Sequence, residues 1–283
     1  MLQFSRTQKQ AIDNGRAKRN RLKKLAEKAA KSSIVASYPH TYIFSPPGLG
    51  KTFTVNKALT ESKVKHFTIS GNISMFSFGI SLAVINHTNK SKKPIVIVVD
   101  DCDEILKNSQ NINIMKNVLS GNKVYSYEKS LQSQWNNLSE LQQEAIEAHS
   151  SPMRMGFEVP TDNMIFIFTS NFKLPTDDDV KVAREKGQQK AILLGHLNAI
   201  KSRCKPADFD LDSEEMWGWI ADTILNEDCL DIEKEDKLIL LDWMYNNWDS
   251  MNERSIRTAE KMAETMVDDP TGYRDSWEID YLK

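Results

Sequence analysis

Cysteine is scarce in this 283-residue chain, and the three present, Cys102, Cys204 and Cys229, lie far apart. They have neither the paired spacing of a zinc ligand set nor the density of a disulfide framework, so they read as buried or incidental thiols. Long apolar runs are missing too. No window approaches the roughly 18 apolar residues of a membrane helix, and the opening MLQFSRTQKQ lacks the apolar stretch of a secretory signal. These absences predict a cytoplasmic protein with no membrane partner. Net charge is nearly absent as well, at −2, but only on average. Residues 1–31 carry 10 Lys/Arg against 2 Asp/Glu, whereas 207–283 carry 7 against 22. Two readings follow: solvated surfaces at both ends, or a basic end that touches a polyanion or the acidic face of a neighbouring subunit.

What is present suits a globular protein: 40% hydrophobic and 27% charged residues over a length that supports one sizeable core and a smaller satellite. Residues 17–31, AKRNRLKKLAEKAAK, are good helix formers with a thin apolar stripe through Leu22, Leu25, Ala26 and Ala29. Four short β-rich runs follow, at Thr41–Ser45, His66–Ser70, Pro94–Asp100 and Met164–Ser170, with a weaker fifth at Ala207–Leu211. Helical sequence separates them, which predicts an α/β fold with a parallel five-stranded sheet between helices. From Asp212 the pattern turns wholly helical and holds five of the six tryptophans, mostly as core. The expected organisation is a basic helical arm at 1–37, a nucleotide-binding domain at 38–211 that starts near Tyr38, and a small helical lid with an acidic tail at 212–283.

The strongest motif is SPPGLGKT, Ser45 to Thr52, between a predicted strand and a predicted helix. That context is the one a phosphate-binding loop requires. Gly48 and Gly50 let the backbone wrap round phosphate oxygens, with Pro47 and Leu49 completing the loop. Lys51 would reach the outer phosphates, and the Thr52 hydroxyl would bind Mg2+. The first glycine of the general pattern is Ser45 here. Further on, the apolar strand IVIVV ends in Asp100-Asp101. A carboxylate at the end of a central strand suits the magnesium shell, which assigns that role to Asp100, and Asp101 then takes the position of a base that polarises water. ATP and Mg2+ are the implied cofactors.

Together these motifs resemble the AAA+ ATPases, from about residue 38 to about residue 265: a P-loop core followed by a helical lid. The family usually has Asp-Glu where this chain has Asp100-Asp101. Asp101 is one methylene shorter, which bears on hydrolysis rate rather than on binding; similar pairs occur in helicase loaders and superfamily-three viral helicases. The resemblance implies that Asn171, at the end of FTSN, is the sensor-1 residue that orients the lytic water. It also implies that Arg203, in a Ser-Arg-Cys segment like that of clamp loaders, is an arginine finger acting on a neighbouring subunit's site. In NERSIRTAEKMAE, similar to a sensor-2 helix, Arg257 is the phosphate-contacting residue, with Arg254 as the fallback.

The segment ISGNISMFSFGISL resembles the pore-loop region of membrane-protease-type unfoldases, so Met75, Phe76 and Phe78 either line a channel or pack beneath the sheet. About seventy residues separate Asp101 from Asn171, and extended stretches at Lys123–Tyr127 and Met155–Pro160 bracket a polar helical segment, Ser130–His149. That pattern predicts a β-hairpin carrying an insertion, about 123–160. The overall expectation is a homo-oligomeric ring ATPase, similar to phage-encoded AAA+ proteins, which remodels or translocates a polymer in the host cytoplasm. Single-stranded DNA, duplex DNA and protein all stand as substrates. A helicase loader or small viral-type helicase is the alternative, and so is a nucleotide-dependent assembly scaffold with slow turnover.

Overall fold

The computed structural model describes residues 3–31, 39–89, 93–150, 156–188, 190–227 and 229–283. The domain start expected near Tyr38 and the strand start at Met155 fall outside them. The chain divides into two compact units.

The unit formed by residues 25–44 and 56–208 holds the sheet. Its strands are β1 (His40–Phe44), β2 (His66–Ser70), β3 (Ile95–Asp100), β6 (Met164–Ser170) and β7 (Cys204–Asp208), all parallel in the order β2-β3-β6-β1-β7. Residues Ile95–Val99 of β3 and all seven of β6 are buried, as continuous apolar strands in a covered parallel sheet must be. The flanking helices of this unit are α3 (Met75–Thr88), α4 (Ser109–Val118), α6 (Asp177–Glu185) and α7 (Ala191–Lys201). The fold is thus the α/β architecture the pattern predicts, a five-stranded parallel sheet with helices. The fifth strand begins three residues earlier than expected. It carries Pro206, which donates no hydrogen bond and is tolerated because β7 is an edge strand.

Between β3 and β6 lies the expected hairpin. Strands β4 (Val124–Tyr127) and β5 (Phe157–Pro160) pair antiparallel, and the short α5 (Glu140–Glu147) starts at a Ser139/Gln142 capping box. The hairpin is fastened to α3. Tyr125 donates its hydroxyl to the Met75 carbonyl, Phe78 packs edge-on against Tyr125, and Phe76 lies between Tyr127 and Phe157. Phe78 has no exposed surface and Met75 is buried, as the packing alternative expects of them, whereas Phe76 is half-buried against the hairpin.

The other unit comprises residues 1–24, 45–55 and 209–283. Its helices are α8 (Ser213–Asn226), α9 (Lys234–Asn247), α10 (Ile256–Asp268) and α11 (Tyr273–Tyr281). Trp217, Trp219, Trp248 and Trp277 are buried there. Helix α1 (Arg6–Lys31) begins eleven residues before the run that sequence marks as helical. Its part within this unit lies on α8: a Cβ on Gly15 would meet the Gly218 carbonyl carbon at 2.2 Å, and one on Gly218 would meet the Ala11 oxygen at 1.9 Å. Two glycines therefore let the helix backbones touch. Four of the basic residues of α1, Arg16, Lys18, Arg19 and Lys23, are paired within the chain. Asp222, fully buried, accepts from Arg16 at 2.8 Å and Arg19 at 2.7 Å, and Glu227 accepts from Arg19 and Lys23. Lys18 pairs with Glu215 at 2.8 Å. The acidic partners of these four residues are Glu215, Asp222 and Glu227, of and just after α8, and neither expected reading of the charge asymmetry included that. No described helix is long and apolar enough to cross a membrane.

Candidate functional site

The loop Ser45–Gly50 leads straight into α2 (Lys51–Glu61). Gly48 and Gly50 have φ of +76° and +67°, a left-handed backbone that a side chain would strain. The carbonyls of Ser45, Pro46, Gly48, Leu49 and Gly50 are all held. Lys51 Nζ donates to the carbonyls of Ser45 and Pro46, both at 3.0 Å. The Ile256 N–H donates to the Gly48 carbonyl at 2.8 Å, and the Trp219 indole to the Leu49 carbonyl at 2.9 Å. The Gly50 carbonyl accepts from Thr54 N–H at 2.9 Å as the first turn of α2. In a trans peptide the N–H points opposite to the carbonyl it shares a plane with. Fixing the carbonyls of Gly48, Leu49 and Gly50 therefore aims the N–H groups of Leu49, Gly50 and Lys51 the other way, as an anion nest at a helix N-terminus.

The start of α10 also packs against this loop. A Cβ on Gly48 would lie 2.3 Å from the Ser255 Cβ, so no larger residue fits there. Ser255 caps α10 by accepting from Thr258 N–H at 3.0 Å, which leaves Arg257 in the first turn, exposed. Arg257 and Arg254 line a cleft of about 420 Å3 together with Pro47 and Gly48. Arg254 donates to the Asp249 carbonyl at 3.0 Å and lies 5.7 Å over the Trp248 ring.

The second group of candidates stands on the sheet. Register pairs Asp100 of β3 with Thr169 of β6, and the Thr169 hydroxyl donates to Asp100 Oδ1 at 2.6 Å. Asp101 follows with φ +49°, a conformation aspartate tolerates better than most residues, and its N–H donates to the Thr169 carbonyl at 3.1 Å. Asn171 Nδ2 donates to Asp101 Oδ1 at 3.0 Å. Ser170 donates to Asp103, and Asn171 lines a cleft of about 310 Å3 with Asp103, Lys107 and Phe172. Cys102 lies between these acids, and burial together with the Asp100 and Asp103 charges pushes its thiol up to about 12. It stays neutral and donates to the carbonyls of Ile69 and Asp100. Burial pushes Cys204 up to about 12 as well, so neither thiol is a nucleophile at neutral pH.

Arg203, just past α7, is half-buried and donates from Nη1 to the Ala199 carbonyl at 2.6 Å. Burial and the Arg203 charge hold the Lys116 ammonium below its usual range, and Lys116 bonds His196 at 2.9 Å. Arg203 thus sits just past α7 near the Lys116 ammonium of α4.

Taken singly, the Thr52 hydroxyl and the Asp100 carboxylate are hard oxygen donors of the kind Mg2+ takes, and among the described residues no cluster of three or more His, Cys, Asp or Glu could hold a metal. Trp219 and Ser255 are given no role at this site by the sequence; Thr169 lies in the FTSN segment, on β6 and two positions before Asn171, which follows that strand.

Residues 41–174 match the model of a family described as ATPase family associated with various cellular activities (AAA). That segment contains Ser45–Thr52, Asp100, Asp101 and Asn171, and it ends before Arg203 and Arg257. The match supports an AAA-type P-loop fold and nucleotide-dependent activity for the segment. No curated protein matches the chain.

Proposed function

We propose that the protein binds ATP with Mg2+, hydrolyses it to ADP and phosphate, and does so as one subunit of a homo-oligomeric ring. The observation that carries this reading is the pinned loop, whose carbonyl bonds turn the Leu49, Gly50 and Lys51 N–H groups into a phosphate cradle. In this reading Pro47 to Thr52 hold the phosphates. Lys51 exchanges its bonds to the Ser45 and Pro46 carbonyls for phosphate oxygens. Thr52 and Asp100 hold the metal, which neutralises phosphate charge when bound.

Asp101 takes a hydrogen bond from the attacking water and draws its proton as the oxygen approaches the terminal phosphorus. Asn171 keeps that carboxylate in one orientation. Arg257 adds positive charge to the phosphates within the subunit, and Arg203 does so for the neighbouring subunit once it leaves the Ala199 carbonyl. Turnover that needs an arginine in trans depends on assembly, which is why a ring is part of the proposal. The work output is remodelling or translocation of a polymer, with a place in phage or mobile-element DNA metabolism resting on analogy alone.

The in-chain pairing of Arg19 and Lys23 bears on the choice of polymer. Charge reversal there would break the lid's own ion pairs, so a DNA test belongs on the exposed Arg6, Lys9 and Lys24. The deciding experiment is an ATPase assay on the assembled protein with single-stranded DNA, duplex DNA and unfolded protein as separate stimulants. Mixing Arg203→Ala with Lys51→Ala subunits tests shared sites: mixed rings should recover or poison activity, and strictly additive rates would refute them. No magnesium-dependent ATP affinity in the wild type would end the whole reading.

A further inference from the structure

Helix α11 ends in a short strap laid across the turn that precedes α10. Asn252 N–H donates to the Tyr281 carbonyl and Lys283 N–H to the Ser250 carbonyl, both at 2.9 Å. Asn252 Nδ2 donates to the Leu282 carbonyl at 3.0 Å, and Met251 and Leu282 form an antiparallel bridge. The helix that delivers the strap is itself anchored. Trp277 is fully buried, donates its indole N–H to the Met262 carbonyl at 3.1 Å, and packs against Trp243 and Tyr273. The strap therefore has a defined course, and it sets Lys283 on the wall of the cleft that Pro47, Gly48, Arg254 and Arg257 share.

The cleft's charge is one-sided. Its charged side chains are Arg254, Arg257 and Lys283 against Glu253 alone. Glu253 accepts from the Ser255 hydroxyl at 2.8 Å, and Arg254 is engaged with Asp249 and Trp248. That leaves Arg257 and Lys283, both exposed, as the cations beside the phosphate loop. A lysine there is a point charge on a flexible stem, able to follow a phosphate oxygen without fixed geometry. Three hydrogen bonds hold the strap that carries this lysine, so its place in the cleft beside Arg254 and Arg257 is defined by the fold.

We propose that Lys283 is a phosphate-binding residue of the nucleotide site, and that Asn252, through the strap, is the residue that positions it. This rests on the ATP-binding reading above and adds a residue to it. A bound nucleotide then engages the loop, the first turn of α10 and the strap after α11 at once.

The test is equilibrium binding of Mg-ATP to the full chain and to Lys283→Ala, Lys283→Glu, Lys283→Arg and Asn252→Ala, with Lys51→Ala as the reference for a lost site. Lys283→Ala should weaken binding by about five- to tenfold, and Lys283→Glu by more, as expected for a charge-assisted contact in a partly solvated cleft. Lys283→Arg should stay within about twofold, because the charge is kept. Asn252→Ala, which keeps the cation but loosens the strap, should fall between wild type and Lys283→Ala. If Lys283→Ala and Lys283→Glu bind as tightly as wild type while Lys51→Ala does not bind, the role of Lys283 is overturned and the nucleotide reading stands. If wild type itself fails to bind Mg-ATP, both are overturned.

Discussion

Asn171 donates its side-chain amide to the Asp101 carboxylate at 3.0 Å, tying the residue after β6 to the residue after β3. The bond fixes one oxygen of the Asp101 carboxylate. A proposed base gains from such fixing only if its other oxygen is the one that meets water. Asp101→Asn should therefore retain Mg-ATP affinity and lose turnover by about 10²–10⁴-fold, the usual range for a positioned base. Asn171→Ala should lower kcat with little change in KM. Equal loss of binding in both variants would assign the pair to the architecture of the sheet edge instead.

Trp219 braces the Ser45–Gly50 loop, the proposed phosphate cradle, through its indole. Its indole N–H is the donor that holds the Leu49 carbonyl, and both residues are fully buried. Trp219→Phe keeps the aromatic packing against Phe209 but strands that carbonyl, a loss of about 1–3 kcal/mol for a buried unpaired acceptor. The peptide that carries the Gly50 N–H is then freer to rotate. Nucleotide affinity should fall together with stability, readable by urea unfolding and by nucleotide titration of the same preparation. A variant that loses stability but binds ATP as before would show that the loop keeps its shape without this bond.

The junction of α1 and α8 offers a separate lesion. Gly15 and Gly218 leave no room for a methyl group, and Asp222 carries the charges of Arg16 and Arg19 in a buried setting. Gly15→Ala should cost about 1–3 kcal/mol by overpacking. Asp222→Ala should cost about 3–5 kcal/mol, because Arg19 would remain buried without its main partner. Chemical denaturation of each variant gives the numbers. A neutral Gly15→Ala would mean that the helices separate easily, and that α1 is a detachable arm after all.

Much of this arrangement was legible in the sequence because it rests on local signals. Strands β2 and β6 fall where β-branched and aromatic runs place them, and Ser45–Thr52 carries its geometry in two glycines and the flanking elements. β7 was misplaced because Lys205 and Pro206 look like turn residues until an edge position makes them acceptable. The charge asymmetry of the two ends was visible, but its partner was not. Pairing Arg19 with Asp222 depends on a helix crossing more than two hundred residues apart in sequence, which only two unremarked glycines permit. Trp219 and Lys283 were missed for the same reason: their roles are set by what the lid folds against, and no short-range pattern encodes that.

The last prediction concerns pH. His40 in β1 is 3% exposed, and its Nδ1 accepts the Phe166 N–H at 3.1 Å. Burial, and secondarily the charge of Lys123, lower its pKa from 6.5 to about 4. The folded protein thus keeps this ring neutral where the unfolded chain already binds a proton. Stability from this residue is complete above about pH 6.5 and declines as pH falls toward 4, by about 3 kcal/mol over the window. Below 4 both states are protonated and the loss stops growing. His40→Asn keeps an acceptor near the Nδ1 position but cannot titrate, so the difference in unfolding free energy between wild type and variant should shift across this window by that amount. A difference that stays constant from pH 8 to pH 4 would mean that His40 takes up its proton as readily in the folded protein as in the unfolded chain.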